Sequence, residues 1–99
     1  MNGKYILDGH NPVECDDVIE WGKWFETANR HVAKDEIGNV KISTVFLGLD
    51  HNYISGSYPV LFETMIFGGE HDSYQERYST WEEAEEGHKK AVELVKSAT

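Results

Sequence analysis

Ninety-nine residues suffice for one domain, spanning 1–99, that buries roughly two thirds of the surface its unfolded chain exposes. Eighteen Asp and Glu against nine Lys and Arg leave a formal net charge of −9, which argues against direct nucleic-acid binding through counterion release and against anionic membrane surfaces. Hydrophobic residues at 39% and aromatics at 12% are too abundant for a disordered acidic tail.

No apolar run exceeds three residues, as in Val45-Phe46-Leu47, so no bilayer-spanning helix is expected. The start, Met1-Asn2-Gly3-Lys4, shows no hydrophobic leader, and Cys15 is a single thiol. Together these predict a protein of the reducing cytoplasm, without a disulfide framework.

In chain order, Tyr5-Ile6-Leu7 reads as a short edge strand and Asn11-Pro12 as a loop. From Asp17, with Asp16 or Asp17 as N-cap, Val18, Trp21, Phe25 and Ala28 recur at helical spacing, which predicts a helix ending near Asn29. Two strands follow, His31–Ile37 and Val40–Asp50, joined by the two-residue hairpin signal Gly38-Asn39. That turn sets Glu36 opposite Lys41, Lys34 opposite Ser43 and Val32 opposite Val45. Further strands are expected over Val60–Phe67 and Tyr74–Tyr78. Ser79 or Thr80 caps a final helix, with Glu82 or Glu83 completing a capping box. Its apolar stripe is Trp81, Ala84, His88, Ala91 and Val95. The expected fold is α+β, in the order β-α-β-β-β-β-α, with an antiparallel sheet of three to five strands and two helices.

Apolar residues occupy both alternation phases of the two longest strands: Ile42 and Phe46 against Val45 and Leu47, Phe62 and Ile66 against Leu61 and Met65. A one-sided sheet would alternate cleanly. Both faces are therefore expected to be covered, by one helix each or by helices on one side and a second copy of the chain on the other.

The segments Ser43–His51 (STVFLGLDH), Leu61–Gly69 (LFETMIFGG) and Arg77–His88 (RYSTWEEAEEGH), with Tyr5–Gly9 and the Trp21/Trp24 helix, resemble a group of small, uncharacterised proteins encoded by bacteriophages and prophages. The likeness runs over most of the chain. It implies an origin in a phage-infected cell and no chemistry, so no functional residue carries over from it.

No spacing singles out a metal site, a nucleophile or a carboxylate pair, so no catalytic residue, metal or cofactor is expected. Cys15 sits among Glu14, Asp16 and Asp17, whose charges disfavour a thiolate. His88, central in the last helix's stripe, reads as a core histidine with a hydrogen-bond partner, and Glu63 as a strand carboxylate paired with Arg77 or Lys41. Arg30, His31, Asp50, His51, Tyr53, Ser79 and Thr80 fall at one end of the expected sheet, where they could bind a small polar ligand such as a nucleotide. Between Glu63 and Glu86 there are eight acidic residues and one basic, Arg77. An acidic face of Glu70, Asp72, Glu76, Glu82, Glu83 and Glu86 would complement a basic protein surface. The leading expectation is a non-enzymatic accessory protein that binds a host protein, of the kind that inhibits a defence system such as CRISPR. The alternatives are a dimeric nucleotide-binding or sequestering protein and, with least support, a metal-dependent hydrolase.

Overall fold

A computed structural model describes residues 3–50 and 58–98. The fold is α+β, with β1 (Tyr5–Asp8), β2 (Asn11–Glu14), α1 (Val18–Thr27), β3 (His31–Ile37), β4 (Val40–Phe46), β5 (Phe62–Phe67), β6 (Gln75–Tyr78) and α2 (Trp81–Ser97). The hairpin β1-β2 stands as its own small sheet; the main sheet is antiparallel in the order β3-β4-β5-β6.

The N-terminus holds one strand more than expected, because the chain reverses at Gly9-His10 and Asn11-Pro12 begins β2. Gly9 takes the left-handed backbone (φ 63°) that glycine adopts without steric cost. Asp8 then pairs with Asn11 and Leu7 with Pro12. Alternation along an antiparallel pair points the Pro12 nitrogen away from β1, so its missing donor costs no ladder bond. In α1, Asp17 Oδ1 accepts from the amides of Ile19 (3.0 Å) and Glu20 (3.2 Å).

The β3-β4 hairpin closes at Gly38-Asn39 and pairs Glu36 with Lys41 and Lys34 with Ser43, as the turn signal requires. Beyond that, His31 rather than Val32 sits opposite Val45. Val32 is the extra residue of a bulge, which turns it into the cluster around Phe46 while His31 stays exposed. Strand β4 also stops at Phe46 instead of reaching Asp50. Gly48 (φ 77°) turns the chain aside, and its carbonyl accepts from the Tyr5 amide (2.8 Å) and Trp21 Nε1 (3.1 Å). Residues 47–50 thus fasten β1 and α1 to the sheet.

Register assigns the faces. Ile42, Thr44 and Phe46 pair with Ile66, Thr64 and Phe62, and all six are fully buried. Helix α2 packs across this face on all four strands, presenting Ala84, Gly87, His88, Ala91 and Val95. Trp24 of α1 meets Phe46 edge-on, 5.7 Å between ring centres, from the same side. Both helices therefore lie on one face, which excludes the first of the two expected arrangements, one helix per face, and agrees with the placement of the helices in the second. The opposite face carries half-buried Val45 and Met65, and Phe67 at 47% exposure.

The core divides in two along the strands. Ile42, Ile66, Ala91 and Val95 form one cluster; Phe46, Leu61, Phe62 and Ala84, with Trp24, Val32, Tyr78 and Trp81 against them, form the other. Between them lies the Thr44–Thr64 pair.

Candidate functional site: an acidic groove between the last strand and the last helix

Two polar assemblies rise from this framework. The first is buried. Thr44 Oγ1 lies 2.5 Å from Thr64 Oγ1 and 2.7 Å from His88 Nδ1, and His88 Nε2 lies 2.7 Å from Asp35 Oδ2. The carboxylate only accepts, so Nε2 carries hydrogen and donates to Asp35. With a neutral imidazole, Thr44 then donates to Nδ1 and Thr64 donates to Thr44. The His88 side chain is 5% exposed and Asp35 54%, so the chain runs from surface to core. Every hydroxyl in it is sealed from solvent, which gives it structural work rather than access to a substrate.

The second assembly is open. Between β6 and α2 runs a groove of about 450 Å³ lined by Tyr74, Glu76, Tyr78, Glu83, Glu86, Gly87 and Lys90. Strand alternation puts Tyr74, Glu76 and Tyr78 on the helix side. Gln75 and Arg77 point to the other face, where both donate to Glu63 Oε2, Arg77 Nε at 2.8 Å. Gly87 interrupts a helix of good formers at a cost of about 1 kcal/mol. Its reason is contact: a Cβ there would sit 2.1 Å from Tyr78 Oη. The Tyr78 ring thus crosses α2 at its glycine and floors the groove.

Electrostatically the groove is negative at one end and mixed at the other. Glu83 and Glu86 project from the first turns of α2 beside Tyr78, and Lys90 stands one turn on, toward Tyr74. Burial pushes the Tyr78 phenol above its ordinary value near 10; Thr64 partly offsets this, and Tyr74 and Glu76 add to the rise. Tyr78 Oη nevertheless makes no hydrogen bond of good geometry. Burial, then the Glu76 charge, raises Tyr74 likewise.

Of the ligand-binding cluster expected from sequence, His51 and Tyr53 lie outside the described residues. The others gather at one end of the sheet, but Arg30 and His31 border β3 whereas Ser79 and Thr80 follow β6. Three strand spacings, about 14 Å, separate those edges. Each also has a local task. Arg30 Nη1 donates to the Phe46 carbonyl (2.9 Å) and its guanidinium lies 4.0 Å over Phe25. The His31 amide donates to Asn29 Oδ1 (3.1 Å), and Asp50 Oδ1 accepts from the Val60 amide (2.9 Å). Thr80 Oγ1 accepts from the Glu83 amide (3.1 Å), and Glu83 Oε1 accepts in return from the amides of Thr80 and Ser79.

The six acidic-face residues are all exposed but fall into separate places. Glu76, Glu83 and Glu86 share the groove. Glu82 borders a smaller hollow, about 250 Å³, with Asp8, His10 and Trp81, where the His10 and Trp81 rings stack 3.8 Å apart. Glu70 and Asp72 lie in the β5-β6 turn, Asp72 Oδ1 accepting from the Gly68 amide (2.7 Å). Sequence reasoning missed Tyr74, Tyr78, Gly87 and Lys90 as groove residues; a glycine in mid-helix was the available signal.

Among the described residues, no group of three or more His, Cys, Asp or Glu is placed to hold a metal ion, and no helix is long and apolar enough to cross a membrane. Comparison of the chain with protein-family models, curated proteins and solved structures finds no match.

Proposed function

We propose that this protein acts by non-catalytic binding of a partner protein through the groove between β6 and α2, and that the partner presents a basic surface. The observation that carries this reading is the convergence of three carboxylates, Glu76, Glu83 and Glu86, on a groove floored by Tyr74 and Tyr78. Tyrosine adds apolar contact area with a polar tip and a face that attracts Lys or Arg, while the carboxylates steer the encounter. The −9 net charge extends that field beyond the groove. With the phage-type likeness, the role that fits is an accessory factor in a host cytoplasm that engages a host protein, such as a nucleic-acid-binding component of a defence system. The nucleotide-binding alternative has less support, because its residues divide between opposite sheet edges.

The test is affinity capture from host lysate at low and at high salt, using the parent chain beside a Glu76→Lys, Glu86→Lys variant. Neither residue belongs to the α2 cap, so the variant should fold. The reading expects a specific partner with the parent at low salt, lost at high salt and lost with the variant. Equal capture by parent and variant, or none by either, overturns it.

A further inference from the structure

We infer that the outer edge of β6 receives an extended segment of the partner as a fifth, antiparallel strand, with a Lys or Arg side chain opposite Glu76 in the groove. This rests on the reading of the groove as a protein-binding site and adds the mode of engagement.

Among the described residues no strand lies beyond β6 in the main sheet. The carbonyls of Tyr74 and Tyr78 accept from the amides of Ile66 (3.2 Å) and Leu61 (3.0 Å), so the backbone of these residues points inward to β5. Antiparallel alternation then turns the N–H and C=O groups of Gln75 and Arg77 outward, a template for one more strand.

Side chains select which strand fits. An added strand would place alternate side chains on the α2 side, level with Tyr74, Glu76 and Tyr78, where the groove lies. A basic residue opposite Glu76 would reach Glu83 and Glu86 and lie along the Tyr78 ring. One opposite Tyr74 would meet Lys90, so that position favours a neutral or acidic side chain. On the other face the intervening side chains would flank Gln75 and Arg77, which Glu63 already holds. The other edge of the sheet is less suited. The bulge at Val32 breaks the regularity of β3, and on the helix side Asp35 is engaged by His88. Strand addition draws affinity from main-chain hydrogen bonds and specificity from alternate side chains, and the β6 edge with its groove supplies both.

The experiment uses the whole protein and a capped synthetic peptide of about eight residues alternating Lys with Val, with Ser in place of the Lys that would stand opposite Tyr74, long enough to cover β6 at strand rise. A second peptide is N-methylated at the Val nitrogens, those that would donate to β6. A third carries Glu in place of Lys. Binding is read by fluorescence anisotropy at low and high salt, and amide hydrogen exchange of Gln75 and Arg77 by NMR. The Lys peptide is expected to bind, to weaken with salt and to slow exchange at Gln75 and Arg77. N-methylation should weaken it at least about tenfold, the scale of one or two lost hydrogen bonds, and the Glu peptide should not bind. Equal, salt-sensitive binding of the first two peptides overturns strand addition and leaves the acidic groove standing. No salt-sensitive binding of the Lys peptide overturns both.

Discussion

Phe46–Phe62 and Thr44–Thr64 are neighbouring cross-strand pairs on the same sheet face, all four residues fully buried under α2, yet they hold the helix in different ways. The phenylalanine rings, 5.3 Å apart, extend an aromatic run through Trp24 and Trp81. Their contribution comes from apolar area and is indifferent to direction. The threonine pair contributes little area; its two hydroxyls bond each other, and Thr44 bonds His88, whose second nitrogen reaches Asp35. The aromatic layer supplies stability, and the polar layer fixes where along the strands α2 must sit. A helix displaced by one turn would take buried His88 away from both Thr44 and Asp35 and leave the Thr44–Thr64 pair one partner short.

Breaking the aromatic layer should cost most. Phe62→Ala is expected to destabilise the protein by about 3–5 kcal/mol, the range for a large buried ring lost to a cavity. A denaturant series reads this as a lower midpoint at nearly unchanged slope. A loss under about 1 kcal/mol would show that the rings pack loosely.

The polar layer predicts an unequal response to single and combined replacement. His88→Ala should cost about 2–4 kcal/mol, through its cavity and the acceptor that the Thr44 hydroxyl loses. Thr44→Val alone should cost about 1–3 kcal/mol, because His88 Nδ1 and Thr64 each lose their partner. Replacing the set together, Thr44→Val, Thr64→Val and His88→Leu, should recover most of that loss while relaxing the helix register. If the triple variant falls by the sum of the single losses, the layer is not a coupled network.

How far the sequence reveals this depends on the range of each signal. The main-sheet strands and both helices were legible because their signals repeat at 2.0- or 3.6-residue intervals, and the Gly38-Asn39 turn and the cap at Ser79 or Thr80 because each is a short local motif. Of the two partners expected for Glu63, Arg77 and not Lys41 holds it, because the β5-β6 register places Arg77 opposite. The β2 strand was not legible, since Asn11-Pro12 is a turn signal that the Gly9 reversal overrides. The partners of His88 lie 44 and 53 residues away. Periodicity identified its buried face but could not say which hydroxyl or carboxylate would meet it. The groove joins residues of β6 and α2 that share no motif, so only charge density hinted at it.

Gly87 sharpens the comparison, because it lets Tyr78 of the aromatic layer pass beside His88 of the polar one. Gly87→Ala gains helix propensity of up to about 1 kcal/mol, yet its Cβ would overlap Tyr78 Oη at 2.1 Å and Cζ at 2.2 Å. Overpacking of that kind costs about 1–3 kcal/mol, so a net loss of about 1–2 kcal/mol is expected. In a Tyr78→Ala background the same change should become neutral or stabilising. A loss of equal size in both backgrounds would remove the ring contact as the reason for the glycine.

The smallest effect should come from Tyr78→Phe, which deletes a buried hydroxyl that has no good hydrogen-bond partner. Removing an unsatisfied group is close to neutral, within about 1 kcal/mol at pH 7 and on the stabilising side. At alkaline pH the variant should differ more. Burial raises the phenols of Tyr5, Tyr74 and Tyr78 above 10 in the folded chain. The unfolded chain therefore releases these protons first, so their stabilisation is complete below pH 10 and disappears as pH rises through the folded values. Tyr78→Phe removes one of the three, and urea midpoints measured from pH 9 to 11 should fall less steeply for the variant than for the parent. Parallel curves would mean that Tyr78 ionises as freely folded as unfolded, and that the ring's overlap of Gly87 does not keep its hydroxyl from solvent.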